Sequence, residues 1–404
     1  MNGTALRHLV EARTQAMGGG EPARRRASGL VAQRLVEALW DDNDPFEPGH
    51  FSIREAWEAL VGGITETLPQ AATKTRAGFI SEAPLSTGAF SIITGNVIAR
   101  AVMQAYRAVA GVLDQLVTPA PSTMRIERYV GFTAEDADSI VREGEDYPEV
   151  GLGEKWVQGP EPDKRGKIIS ITAEMVVHDQ TGHILTRAAR LGESMRTARE
   201  SEGLNNIADS AGYKCYYPES AQVDIYRTAA GSTVYTRNIT ELASNALVDW
   251  TNVNAAMAIL AARKDEKGKL ILVQPTVILV PFALAATLAR IMTATEVRYD
   301  TNNAADTANR VTVSGGQTPL RAIFGGAMPT PLVSPALDAI STSSWYVGDF
   351  RRCFNEQIIW PIQVFQQSAD SESGFNRDVV TRFKVRRKSR IHCVDDTWLL
   401  RSTT

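Results

Sequence analysis

The chain has 404 residues, enough for a large core and for roughly two to three domains. Hydrophobic residues make up 44% and charged residues 22%, which excludes a disordered chain, and a formal net charge of −3 excludes a global basic field of the kind that holds nucleic acid. Three dispersed cysteines, Cys215, Cys353 and Cys393, argue against a disulfide framework and for synthesis in a reducing compartment.

Residues 1–84 read as an arm or extension. Gly18-Gly19-Gly20 and the run from Asp41 to Pro45 are breakers between short amphipathic helices, one carrying Leu30, Val31, Leu35, Val36 and Leu39. Ser52 and Glu55 have capping-box spacing for another. Arg24, Arg25 and Arg26 form a basic run that touches nucleic acid or is simply solvated. No signal-peptide run is visible, so the chain is expected to be soluble when made. Ile92, Ile93, Val97, Ile98, Val102, Tyr106 and Val109 predict a helix from residue 87 to 116, ended by Thr118-Pro119. Residues 124–132 alternate as a strand does.

Residues 143–211 have two unlike halves. The first is polar and rich in Gly and Pro; Glu143, Glu145, Asp146, Glu149 and Glu154 precede Lys155, Lys164, Arg165 and Lys167. Antiparallel pairing of its acidic and basic parts would set opposite charges across from one another, each pair contributing about 0.2–1 kcal/mol. The same distribution suits an oppositely charged neighbour or a solvated surface. The second half predicts a strand, KIISITAEMVV, then a helix over 182–208, about 40 Å long, in which Gly192 and Gly203 are expected to mark bends.

Further on, strands are expected at 213–217 and 223–226, and helices at 240–247 and 252–263. A buried strand interrupted by Pro275 is expected over 270–280, followed by a helix over 282–292. Gln274, Pro275, Pro281 and Arg290 exclude a membrane span there. Residues 298–318 read as an exposed loop. Strands follow at 322–324, 344–347, 358–365 and from 379 onward, the last with Phe383 and Val385 on one side and Arg382, Lys384 and Arg386 on the other. With Arg387, Lys388 and Arg390 these form a basic face that contacts packaged nucleic acid or is simply solvated.

No phosphate-binding glycine loop and no nucleophile elbow is present. Glu174, His178, Asp179 and His183 form the one local His/carboxylate cluster, but its histidines are five apart across a strand-to-helix junction. Helical metal ligands favour four. Asp179 or Thr181 serves more simply as a helix cap. Cys393 adjoins His392, and neighbours on a strand point to opposite faces. The residues thus nominate no catalytic, cofactor or metal site, although a hydrolase or metal enzyme using His178, Asp179 and His183 stands as an alternative.

The ordered segments do resemble a known family. GKIISITAEMVVHD (166–179) followed by ILTRAARLGESMRTARE (184–200) is similar to the major capsid proteins of tailed double-stranded DNA phages, most of all the Mu-like major head subunit. Ala173 and Gln180 stand where that family carries an arginine and a second aspartate. LVDWTNVNAAMAILAARKDEKGKL (247–270), VILVPFALAATLARIM (277–292), STSSWYVGDF (341–350) and RFKVRRKSRIHCVDDTWLLRS (382–402) resemble its later elements. The resemblance covers residues 85–404 and implies an α+β fold of the Hong Kong 97 type. Its parts would be an arm at 1–84, an arm continuation and peripheral-domain entry at 85–142, and an extended E-loop at 143–167. A peripheral domain with a spine helix (168–238), an axial domain (239–350) and a return with closing strand (351–404) would follow. It implies a structural, non-enzymatic subunit that forms hexamers and pentamers of an icosahedral head around double-stranded DNA, in the virion after assembly in the host cytoplasm. Glu145, Asp146, Glu149, Glu154, Lys155, Lys164, Arg165 and Lys167 would make inter-subunit contacts. Scaffold, maturation protease, portal and decoration proteins would be partners; no cofactor and no membrane is implied. An encapsulin-like compartment shell of the same fold is the alternative within this resemblance.

Overall fold

A computed structural model describes residues 11–18, 30, 84–132, 142–143, 154–172, 175, 183–231, 234–265, 268–293, 296–300, 312–316, 328–367 and 379–404. Apart from Leu30, the arm helices expected at 30–39 and 52–57 lie outside these residues, as does the strand expected at 322–324. Two units divide the chain. One comprises Met1–Ala110, Lys164–Ala198 and Trp360–Arg387; the other comprises Gly111–Asp163, Arg199–Ile359 and Lys388–Thr404.

In the first unit, helix α1 (Pro84–Ala108) buries Val97, Ile98, Ala101 and Val102 on one stripe. Helix α3 (His183–Ile207) buries Ile184, Leu185, Ala188, Leu191 and Met195 on its own stripe. α3 is one continuous helix through both glycines. Each glycine instead makes room for a neighbour. A Cβ on Gly192 would lie 2.2 Å from the Val102 carbonyl oxygen, so the backbone of α1 rests directly on α3. In the second unit a Cβ on Gly203 would lie 2.6 Å from Leu113 and 2.7 Å from Ile391. The predicted helix over 87–116 is two pieces: Gly111 and its neighbours interrupt it, and a short helix α2 (Leu113–Leu116) follows. Glu200 of α3 holds that second piece, its Oε1 accepting the backbone N–H groups of Val112 (2.7 Å) and Leu113 (3.0 Å).

The second unit is built on a five-stranded mixed sheet, order β10-β7-β11-β14-β6. Its strands are β6 (Glu241–Leu242), β7 (Val277–Pro281), β10 (Thr330–Ser334), β11 (Trp345–Gly348) and β14 (Leu399–Ser402). The central strands alternate between two cores. Ile278, Val280, Trp345, Val347 and Leu400 pack with helices α4 (Trp250–Ala261) and α5 (Ala285–Thr293). Leu279, Tyr346 and Leu399 pack on the other side, with Leu113, Leu204, Ile207 and Ile391. Both faces being covered, these strands read as unbroken apolar runs such as VILV. Asp249 starts α4 with a capping box closed by Asn252, and Pro281 ends β7 just before a turn leading into α5.

Four expectations differ from the structure here. Residues 240–247 are not a helix, because the N–H groups of Thr240 and Glu241 donate to the Arg227 carbonyl and β6 pairs with β14. The strand expected at 223–226 makes no ladder; its Ile225 N–H donates to Asp209 Oδ2 at 2.9 Å, and the strand expected at 213–217 is reduced to β5 (Tyr217–Pro218). The loop expected at 298–318 contains an antiparallel pair, β8 (Glu296–Asp300) and β9 (Thr312–Gly316), whose Val297, Tyr299 and Val313 are strand formers in a polar setting.

Candidate interaction surface

Of the polar stretch 143–167, the structure describes residue 143 and residues 154–167. Its strand β3 (Glu154–Gln158) pairs antiparallel with β2 (Arg128–Phe132), placing Val130 opposite Trp156 and Phe132 opposite Glu154; β5 flanks β3 on the other side. Strand β4 (Lys164–Thr172) belongs to another sheet, order β1-β12-β13-β4, formed with β1 (Thr118–Pro121), β12 (Phe354–Gln367) and β13 (Val379–Cys393). The cause is written in Gly159-Pro160-Glu161-Pro162-Asp163: two prolines lack the N–H that a ladder needs, so β3 stops before β4 begins. The described end of this stretch, β3, thus pairs with an earlier strand, and the acidic residues expected to pair with its basic part lie outside the described residues.

The nominated residues separate accordingly. Glu145, Asp146 and Glu149 lie outside the described residues. Glu154 opens β3, and Lys155 follows, partly buried, with Nζ 5.8 Å from the centre of the Tyr235 ring. The Arg128 guanidinium covers Trp156 at 4.4 Å. Lys164, Arg165 and Lys167 are exposed on β4. Glu174, His178, Asp179 and Thr181 also lie outside the described residues, and His183 opens α3.

On β13 the period-two pattern holds. Phe383 and Val385 are buried, Lys384 is exposed and Arg386 is half-buried. Arg387, expected on the basic face, instead shares the row of Phe383 and Val385 and is only 4% exposed, because it is an even number of residues from both. Lys388 and Arg390 lie in the basic row and are engaged within the second unit. Lys388 Nζ is 3.4 Å from Glu161 Oε1, and Arg390 Nη1 is 3.5 Å from Asp163 Oδ2. Arg125 also bonds Glu161, and that hydrogen bond is the main cause holding the Glu161 carboxyl below its usual range.

Farther along the same row, within the first unit, the partners are aromatic. Arg386 stacks at 4.3 Å on Trp360 and 4.4 Å on Phe365, and its Nε donates to Gln363 at 3.2 Å. Lys384 lies 5.2 Å over Phe365, and Lys164 of β4 lies 5.8 Å over Trp360. Sequence reasoning missed Trp360 and Phe365 as members of this surface. The available signal was two aromatics in one strand and alternating cations in another.

Buried polar groups elsewhere have packing explanations. His392 is 1% exposed, its ring 4.8 Å from that of Tyr129, and a Cβ on Gly159 would come within 2.7 Å of it. Burial lowers its pKa to about 4. Cys215, Cys353 and Cys393, scattered in sequence, meet in one core, where the Cys393 N–H donates to the Cys215 carbonyl. Burial raises their thiol pKa values, that of Cys215 to about 12. No group of three or more His, Cys, Asp or Glu side chains among the described residues is placed to hold a metal ion, and no described helix is long and apolar enough to cross a membrane.

A family model described as phage capsid protein matches residues 157–395, more than half of the chain. No curated protein matches the chain. Among solved structures, the capsid of cyanophage P-SCSP1u is similar at 10% identity and a TM-score of 0.48, over 73% of this chain and 88% of that one. The capsid of a native GTA particle is similar at 9% identity and a TM-score of 0.46, over 73% and 91%. A virus-like particle from Pyrococcus furiosus is similar at 10% identity and a TM-score of 0.42, over 75% and 96%.

Proposed function

The chain belongs to the phage capsid protein family, and on that premise we propose that it is the major head subunit of a tailed phage, with a Hong Kong 97-type fold. It assembles through hexamers and pentamers into an icosahedral shell around double-stranded DNA. The observation that carries this reading is the family match over 157–395, which runs from β3 through α3 and both long strands to just past β13.

In this reading α3 is the spine helix, and the extended E-loop expected at 143–167 takes in β3 and the start of β4. The sheet unit around 239–350 supplies the axial domain. Glu145, Asp146, Glu149, Glu154, Lys155, Lys164, Arg165 and Lys167 are contacts between subunits. Exposed ion pairs contribute only about 0.2–1 kcal/mol each, so such contacts matter through repetition around a closed shell. Scaffold, protease, portal and decoration proteins are further partners of this reading.

The test is electron microscopy of the chain expressed with its neighbouring genes, together with nuclease protection. Closed icosahedral particles holding nuclease-resistant DNA are expected. A monomer under every condition would overturn the reading, and particles filled with protein in place of DNA would assign the chain to a compartment shell.

A further inference from the structure

We propose that the cavity beside Trp398 is a binding site for a carboxylate carried on a short apolar body, with the Arg352 guanidinium as its anchor. The cavity lies wholly within the second unit, and the proposal does not depend on the shell reading.

The anchor is built from close neighbours in sequence. Asp349 and Arg352 stand three apart at the helical turn Phe350–Cys353, and Arg352 Nε lies 3.2 Å from Asp349 Oδ2. The guanidinium stacks at 4.5 Å on the Trp398 ring. That ring is itself fixed: its Nε1 donates to Asp395 Oδ2 at 2.8 Å, and the Trp398 carbonyl accepts the Asp349 N–H at 3.0 Å. Gly348 allows this approach, since a Cβ there would lie 2.2 Å from the Trp398 carbonyl oxygen. Pairing and stacking restrict the Arg352 side chain before any ligand arrives, which lowers the entropy lost on binding.

The anchor is also open. Its Nε is taken, but among the described residues neither Nη has a partner, and the side chain is 61% exposed. The free Nη edge of a guanidinium fits a carboxylate through two parallel hydrogen bonds. The half-open cavity that Arg352 lines has a volume of about 380 Å³, at the low end for small-ligand sites. Leu272, Pro275 and Met328 give it apolar walls, and Leu272 is 95% exposed and so available to be covered. A phosphate is a poor match: Arg352 is the one cation lining the cavity, and Asp349 beside it opposes a second negative charge. The exposed amide of Gln274, on the same lining and without a partner among the described residues, can meet a peptide group next to the carboxylate.

The experiment is ligand-observed saturation-transfer NMR on the full chain, in whatever assembly it forms. The probes are 4-methylpentanoate, N-acetylleucine and N-acetylleucinamide. Both acids are expected to receive saturation, and the amide, which lacks the charge, to bind about tenfold or more weakly than N-acetylleucine. Arg352→Gln is expected to weaken both acids by about tenfold or more with circular dichroism unchanged. Tighter binding of N-acetylleucine than of 4-methylpentanoate would identify a peptide C-terminus as the source of the carboxylate; equal or weaker binding would identify a free acid. Equal binding of N-acetylleucine and its amide overturns the proposal, as does undiminished binding to Arg352→Gln or an absence of saturation transfer to both acids at millimolar concentration. Leu272→Asp keeps the test available should Arg352→Gln lose its fold. It sets a negative charge at the exposed rim and is expected to weaken both acids; binding equal to wild type would place the ligand outside this cavity and refute the assignment.

Discussion

Gly192→Ala tests the packing of α1 on α3 through two opposing effects. Alanine favours a helix interior over glycine by about 0.8–1.0 kcal/mol, so a solvent-facing Gly192 would predict stabilisation. The added Cβ, however, would sit 2.2 Å from the Val102 carbonyl oxygen, 3.1 Å from its carbon and 3.2 Å from the Tyr106 nitrogen. All three are backbone atoms of one helix and none can swing aside. Restoring contact to about 3.3 Å moves α1 off α3 by about 1 Å, which loosens packing around Val102 and forfeits a quarter or more of the dispersion energy of the affected contacts. Overpacking of this kind costs about 1–3 kcal/mol, and the rigid obstacle places Gly192 at the upper end. After subtracting the helix gain, the expected net loss is about 2 kcal/mol. Gly203→Ala in the same helix is the control: its obstacles are the methyl ends of Leu113 and Ile391, which can shift, so its expected loss is below about 1 kcal/mol. Urea denaturation followed by circular dichroism reads both midpoints. A Gly192→Ala protein as stable as wild type, or one no worse than Gly203→Ala, would refute the backbone-contact argument.

Three further outcomes are expected. His392 is buried in its neutral form with a pKa lowered to about 4, so its proton binds the unfolded chain better; stability is full above about pH 6.5 and falls as pH drops toward 4. Asp396, fully buried and bonded to Arg227, has its pKa raised to about 6, mainly by burial, and acts with the opposite sign over nearly the same window, being favoured in the fold as pH falls from 6 toward 3.8. The wild-type profile is therefore shallow, whereas His392→Gln should gain about 2–3 kcal/mol relative to wild type between neutral pH and pH near 4.5; a pH-independent difference would show that the imidazole is solvated. Arg199→Ala removes the partner of Glu356, a carboxylate whose side chain is 3% exposed, as well as a 2.8 Å bond to Asp114; a loss of about 3–5 kcal/mol is expected, recovered in large part when Glu356→Gln is added, and lack of recovery in denaturant titrations would count against a stranded buried charge. The thiols of Cys215, Cys353 and Cys393 should resist maleimide labelling until the chain unfolds; labelling of any of them in the native state would contradict their burial.

The parts of the fold legible in the sequence are those governed by local pattern. The 3.6-residue stripe of Ile184, Leu185, Ala188, Leu191 and Met195 placed α3 within a residue of its ends, and alternation at Phe383 and Val385 oriented β13. Failures occur where distant partners decide. Glu241 and Leu242 are a strand because β14 offers them a ladder, and nothing within residues 240–247 encodes β14. Glycines in α3 look like weak points in the sequence, which cannot show Val102 lying against one of them. The candidate surface was half legible: the cations on β4 and β13 stand out, but the Trp360 and Phe365 rings beneath them come from a strand whose pairing is long-range. Pro160 and Pro162 did carry the signal that β3 and β4 part company, one that a reading of charges alone passes over.

The place of β14 has a consequence for synthesis. It lies between β11 and β6, antiparallel to the first and parallel to the second. Strand β6 is made early yet has no ladder partner but β14 in its sheet. A ribosome adding about 5–20 residues per second needs several seconds to go from Gly348 to Ser402. Throughout that interval the edge of β11 is unpaired, and the apolar faces of Leu399 and Leu400 are missing from both cores. The sheet can therefore close only after translation has passed residue 402. Until then the nascent chain presents an open strand edge, the feature by which one copy can pair wrongly with the next on a crowded polysome.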